Sequence, residues 1–454
     1  MKTKTVLPPT EHAHLHSPLH AIERWKRDFA KIMSARVLES QLGFRKTWYL
    51  GALTLGSFAM QVGTGLLLML YYHPSIPQGY ADMKDLEFVV SSGTLLRSLH
   101  RWSAHAMVFL VFVHIAKVFY RAAYRAPREL NWVLGVCLLI LTLALSYTGY
   151  LLPWDQLSYW GTTVGANIIS SVPWLGPKLR FYMLGGHSVN ANALLRFYVL
   201  HTMILPLGLI ALLGIHLWRL HKDGGMYEAD DRGRPVFSGE TEGADEKEAT
   251  QLAGEKTLSY GDLLFREITA VEALAVVLFT MGLIWAAPLD QLANPMHTPN
   301  PAKAPWYFTG LQELLHYFPP FVAGIILPVL IVSGLFFVPF SPFFDNVKTR
   351  EALGWLRSRA VRWLTGGILI AVISALLIRL HAWDALLPLW IFVGLTLFAA
   401  VGSAMNGNQS RSWLLEKPIS FWIMTLFLME AVVLTAVGTF FRGPGWAWVW
   451  PWRV

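Results

Sequence analysis

Nine stretches of this chain each hold about 20 mostly apolar residues, enough for a helix to cross ~30 Å of hydrocarbon. They run near residues 47–72, 95–120, 131–152, 195–220, 267–288, 321–341, 362–381, 384–405 and 418–441. The predicted fold is therefore all-α: a polytopic transmembrane helical protein of about nine spans. With 54% hydrophobic and 15% charged residues among 454, the composition excludes an ordinary water-soluble protein. Twenty Trp and fifteen Tyr suit the same class, because amphipathic rings collect where hydrocarbon meets headgroup.

The net charge of +8 does not indicate nucleic acid, since the basic residues fall between apolar stretches rather than on one polar face. They read as topology instead. Arg24, Lys26, Arg27, Lys31, Arg36, Arg45 and Lys46 precede the first span, whereas the next loop sets Lys84 against Asp82, Asp85 and Glu87. Basic residues stay on the cytoplasmic side, which puts the N-terminus inside. Arg121, Arg125 and Arg128 after span two, and Lys348, Arg350, Arg357, Arg359 and Arg362 after span six, alternate accordingly. An odd number of spans places the C-terminal RGPGWAWVWPW outside. The segments after spans three and five are long external loops, poor in charge and rich in Pro, Gly and Trp.

Four boundaries divide the chain. Residues 1–46 form a cytoplasmic segment without the early apolar stretch of a signal peptide, so the first span serves as the insertion signal. Residues 47–221 form a four-helix unit, and 222–266 a polar linker without apolar period. Residues 267–345 carry two further spans and 346–454 the last three. The single cysteine, Cys137, leaves no disulfide framework and no CxxCH for covalent haem attachment. His12, His14, His16 and His20 in the N-terminal segment read as a solvated tail rather than a metal site.

The histidines inside the spans carry the chemistry. His100 and His114 are fourteen residues apart on span two, and His201 and His216 fifteen apart on span four. At about 100° and 1.5 Å per residue, each pair returns to nearly one helix face with ~21–23 Å between its members. Two such helices can oppose imidazoles near each membrane boundary. Imidazole is a usual axial ligand of haem iron, and a buried histidine in hydrocarbon needs a partner. Any one of them alone would read equally well as a helix–helix hydrogen bonder; four at matched depths predict a four-helix dihaem bundle. His105 lies about 140° round the helix from His100 and cannot share its haem. It reads as a packing histidine.

Glycines repeat the period. Gly51 and Gly65 on span one, and Gly135 and Gly149 on span three, are again fourteen apart. One such pair would be ordinary helix packing, but two at the histidine spacing read as walls for flat porphyrin edges. Arg97 and Arg101 flank His100, where they either meet haem propionates or snorkel to the interface.

The motifs RSLHRWSAH, PREL, GYLLPWDQLSYWG and RFYVLHT resemble cytochrome b of the quinol-oxidising bc and b6f complexes, nearer the cytochrome b6 branch, over most of residues 45–220. From about 257 the chain is similar to subunit IV of the photosynthetic complex, fused here into one polypeptide, with ANPMHTP at 293–299 as the best local match; the similarity fades beyond about 345. The resemblance implies two non-covalent haems b, the outer held by His100 and His201 and the inner by His114 and His216. It implies a quinol-oxidation pocket outside, near the Pro153-Trp154-Asp155 loop, and a quinone site inside near Arg219 and Lys222. It also implies as partners a Rieske iron–sulfur protein, a c-type cytochrome (multihaem forms included) and a second copy of the complex, in a bacterial-type cytoplasmic membrane.

Two departures stand out. Where the family has Pro-Glu-Trp-Tyr, this chain has Ala304-Pro305-Trp306-Tyr307. Proline cannot take a proton, so release would fall to Glu313 or Asp155, or the pocket's chemistry is altered; Trp306 and Tyr307 by themselves would read as interfacial aromatics. Tyr49 stands where cytochrome b6 tethers an extra haem through cysteine, so no covalent haem is expected. Two other readings remain open at this stage: a dihaem anchor for another quinone-linked dehydrogenase or reductase, supported by the missing glutamate, and a haem-free transporter with histidines along a proton path.

Overall fold

A computed structural model describes residues 36–38, 44–222, 257–340 and 419–451, with 371, 374 and 375. The expected spans at 362–381 and 384–405, the histidine-bearing tail and most of the 222–266 linker lie outside the described residues. In lipid a backbone must satisfy its own hydrogen bonds, and the apolar stretches do so as helices. These are α1 (Leu50–Met69), α3 (Gly93–Tyr120), α4 (Glu129–Tyr150), the joined α7 (Ala191–Val199) and α8 (Leu205–Lys222), α9 (Tyr260–Ile284), and α11 (Leu327–Phe337) with its flanking turns. All six are long and apolar enough to span a membrane. A further apolar helix, α12 (Ile419–Phe440), coincides with the last expected span.

The external segments are more ordered than loops. They contain α2 (Gln78–Phe88), α5 (Gln156–Ser170), α6 (Gly176–Leu184) and α10 (Trp306–Tyr317). Asp155 caps α5 by accepting from Ser158 N at 2.8 Å, and Asn190 caps α7 by accepting from Asn192 N at 3.0 Å. On the other side, α9 starts at Tyr260, several residues before its apolar stretch. A two-stranded antiparallel ladder pairs Arg36–Leu38 with Thr257–Ser259 beneath it, a small exception to an otherwise helical chain.

Two π turns share one cause. Leu200–Ile204 joins α7 to α8, and Val322–Ile326 precedes α11. Each ends two residues before a proline, Pro206 or Pro328. Proline lacks an N–H and its ring presses on the carbonyl four residues back; widening the preceding turn relieves both effects and inserts one extra residue into the helix. The first insertion bears directly on histidine spacing.

Phe58, Met107 and Leu209 form a core at mid-bundle, with Val62, Leu138 and Leu213 around it. Trp132, Val136, Leu335 and Met424 belong to a second core that ties α11 and α12 to the first four spans, and Trp132 Nε1 donates to Leu335 O at 2.8 Å. The exposed faces are apolar, as at Leu66 and Leu67 on α1 and Leu207 and Ile210 on α8, which is what lipid requires of a spanning helix.

Candidate functional site

The structure brings the four histidines together as two opposed pairs. His100 of α3 and His201 of the π turn face each other with ring centroids 6.2 Å apart and planes at 81°. His114 and His216 meet at the other level, within electrostatic reach of one another. The extra residue of the π turn explains the unequal gaps: a fifteen-residue separation interrupted by one bulge matches a fourteen-residue separation in regular helix.

Hydrogen bonds select the tautomer of the outer pair. Thr64 spends its hydroxyl proton on Met60 O at 2.6 Å, so toward His100 Nδ1, 2.9 Å away, it can only accept. His201 Nδ1 faces the Leu145 carbonyl at 3.1 Å and must donate as well. Both rings therefore carry their proton on Nδ1 and keep an Nε2 lone pair, the form in which imidazole binds a metal while its other nitrogen donates to oxygen. Gln61 Nε2 secures the helix around this point, donating to His100 O and Ser103 Oγ, each at 2.5 Å.

Each glycine of the fourteen-residue pairs abuts one histidine. A Cβ on Gly149 would lie 2.5 Å from His201 Cε1, and one on Gly65 3.2 Å from His100 Cε1. At the inner level, Cβ atoms on Gly51 and Gly135 would stand 3.8 Å from His114 and His216 Cε1. The residues fit a haem at each level. Metal–imidazole bonds of about 2 Å set two axial rings roughly 6 Å apart centre to centre, close to the observed outer pair, and the glycines leave backbone-lined space beside each ring. Among the described residues no cluster of three or more His, Cys, Asp or Glu side chains offers an alternative metal site.

A cavity opens from the outer pair toward the external surface, lined by Gly65, Gly149, Arg97, Arg101, His105, Asp155 and Tyr307 among others. Arg97 is buried and donates to Pro288 O at 3.2 Å and to Ala287 O, tying α3 to the segment after α9. Arg101 lines the same cavity. Asp155 Oδ1 accepts from Ser158 N and from Ser158 Oγ at 2.6 Å, while Oδ2 accepts from Asp290 N at 3.1 Å. Its carboxylate thus clasps the two external segments. Burial pushes the Tyr307 phenol up to about 12, so it stays neutral at physiological pH. Trp306 Nε1 donates to His105 Nδ1 at 2.9 Å.

Glu313 stands behind this wall, fully buried with Arg442. Arg442 Nε lies 3.0 Å from both of its carboxylate oxygens and Nη2 also bonds Oε1. Tyr317 OH donates at 2.6 Å and Trp446 Nε1 at 2.9 Å. At the opposite end, Arg219 and Lys222 occupy the last turn of α8 beyond His216, with Lys222 Nζ 5.1 Å from the Trp218 ring.

Two features escaped the sequence reading. His105 is not a distant packing residue; it borders the outer cavity beside Trp306 and Tyr307. A titratable ring within a span, near a motif lacking its carboxylate, was the available signal. The second is α12, which packs on α10 through small residues: Thr309 Oγ1 and Thr439 Oγ1 are 3.1 Å apart, and a Cβ on Gly438 would touch Thr309 O at 2.9 Å.

Fold and site define a polytopic helical membrane protein with paired imidazoles at two depths. Residues 37–224 match the family model described as cytochrome b/b6/petB, and 292–379 match that for the cytochrome b (C-terminal)/b6/petD region. Cytochrome b6 of Heliobacterium mobile is 46% identical over 175 residues, covering 38% of this chain and 82% of that protein. Cytochrome b of Akanthomyces muscarius is 32% identical over 298 residues, covering 65% and 74%. A solved structure titled Hyperthermophilic respiratory Complex III shares the fold, with a TM-score of 0.60 and 22% identity over 93% of this chain and 97% of that one. The chain belongs to the cytochrome b/b6 family, whose members bind haem b.

Proposed function

We propose that this chain is the cytochrome b subunit of a bc-type quinol oxidoreductase, moving electrons from quinol across the membrane with coupled proton translocation. The observation that carries the reading is the outer pair: two facing imidazoles whose Nδ1 protons are committed to oxygen acceptors, leaving both Nε2 lone pairs available. His100 and His201 would hold the outer haem b, and His114 and His216 the inner one. When bound, the haems supply one-electron redox stations near the two faces of the bilayer. Gly51, Gly65, Gly135 and Gly149 keep side chains out of the porphyrin space, and Arg101 with Arg97 offers cations at its outer edge.

The outer cavity serves as the quinol pocket, with Tyr307, Trp306 and Asp155 in its wall and Glu313 bracing the wall from behind. Arg219 and Lys222 mark the inner quinone site. The partners are a Rieske iron–sulfur protein and a c-type cytochrome, in a dimeric complex of nine-span subunits in a cytoplasmic membrane, N-terminus inside; the complex III title of the structural relative supports this assembly. Purified protein should show a dithionite-reduced b-type spectrum with two haems per chain, and His114→Ala should remove one. Retention of both in that variant would overturn the ligand assignment.

The state of the carboxylates favours a second reading. Asp155 and Glu313 are both occupied by protein donors, as suits a dihaem anchor that does not bifurcate electrons. An isolated complex containing a Rieske protein, with turnover blocked by outer-site inhibitors, would dismiss it.

A further inference from the structure

Trp306 joins α10 to α3 through a single bond whose direction is fixed by chemistry. Indole N–H can only donate, so His105 Nδ1, 2.9 Å away, must be the acceptor. A neutral imidazole accepting at Nδ1 carries its proton on Nε2. Trp102 and Tyr307, with ring centroids each 5.5 Å from that of His105, hold the ring from two further sides. Trp102 is itself anchored by its Nε1 bond to Trp285 O at 2.8 Å. Among the described residues no protein group bonds to His105 Nε2, and the residue borders the outer cavity.

We propose that His105 Nε2–H is the hydrogen-bond donor that binds a quinone oxygen in the outer cavity, and that Trp306 is the positioning residue that sets its tautomer. The inference rests on reading that cavity as the quinol pocket. A quinone presents two carbonyl oxygens that only accept, so its recognition needs a donor on the wall. Arg97 and Asp155 have their polar atoms committed to the external segments. His105 is preset to donate and cannot take a proton at Nδ1 without breaking the Trp306 bond. It therefore orients the ligand and does not act as the base that the motif lacks.

The test uses the haem-loaded full chain with decylubiquinone and menadione as probes, read by binding affinity and by the infrared carbonyl stretch of bound quinone. His105→Leu should weaken binding about tenfold, the loss of one buried hydrogen bond, and should abolish one hydrogen-bonded carbonyl band. His105→Gln, which keeps an N–H donor, should restore most of both. Trp306→Phe frees Nδ1 and should split or broaden the band with only a small change in affinity. If His105→Leu fails to load haem, the Gln and Phe variants carry the test. Unchanged affinity and band in His105→Leu, or an unchanged band in Trp306→Phe, would overturn the proposal. Wild-type protein that binds neither quinone would instead overturn the pocket reading, while its haem spectrum stood.

Discussion

Replacing Gly149 by alanine should empty the outer haem level, whereas the same change at Gly135 should leave the inner level intact. The added methyl at 149 falls 2.5 Å from His201 Cε1 and 3.0 Å from both ring nitrogens. Carbon contacts are comfortable at about 3.5–4.0 Å, so the overlap is about 1 Å. The ring cannot swing aside without losing its bond to Leu145 O. Overpacking of this kind costs about 1–3 kcal/mol, and the broken hydrogen bond roughly 1 kcal/mol more. At 1.4 kcal/mol per tenfold, retention of the outer haem should fall by roughly thirty-fold to several hundred-fold. At Gly135 the methyl meets His216 Cε1 at 3.8 Å, an ordinary contact, and alanine favours helix over glycine by about 1 kcal/mol. Gly65, at 3.2 Å from His100, should be intermediate. Haem per chain by pyridine haemochrome, with reduced-minus-oxidised spectra to tell the two levels apart, ranks the variants. A Gly149→Ala protein with two haems, or a Gly135→Ala protein that loses one, would refute the assignment of each glycine to its histidine.

Arg442→Ala strips a fully buried Glu313 of its cation, and an orphaned buried charge destabilises by about 3–5 kcal/mol; thermal unfolding in detergent should show it, with little change in haem content because the pair is remote from all four ligands. Asp155→Ala removes the α5 cap and the Asp290 N bond together. Loss of the cap alone costs ~1–2 kcal/mol, so limited proteolysis should cut faster near residues 155 and 290 while both haems are kept.

What could be read from the sequence was local. Span lengths, the histidine gaps and the glycine pairs follow from 1.5 Å and 100° per residue, and seven of the expected spans coincide with helices. The fifteen-residue gap needed one further fact, that Pro206 forces a bulge into the helix just after His201, before it could be matched to fourteen. The external helices were hidden because they are short and lie amid Pro and Gly. Contacts between distant segments were beyond any periodicity: Trp306 lies 201 residues from His105, and Arg442 lies 129 from Glu313. For Glu313 the sequence offers a free carboxylate near a motif that lacks one, and the fold reveals a carboxylate held by four donors.

That difference changes how the outer wall works. A carboxylate can accept a proton only if its lone pairs are not already claimed, and a guanidinium against it favours the charged form. Arg442 arrives on the segment after α12, which is seated on α10 by Gly438, Thr435 and Thr439. The last helix thus locks α10 in place and, by doing so, commits Glu313 to structure. With Asp155 committed to the loop clasp, the polar groups left facing the cavity near Trp306 are the neutral phenol of Tyr307 and the Nε2–H of His105. A wall of neutral donors suits binding and orientation of a planar dicarbonyl, and it leaves proton removal to a group outside that wall. A complementing partner that supplies an acceptor at this opening would meet the requirement, and restoring glutamate by Pro305→Glu offers the direct comparison within the chain.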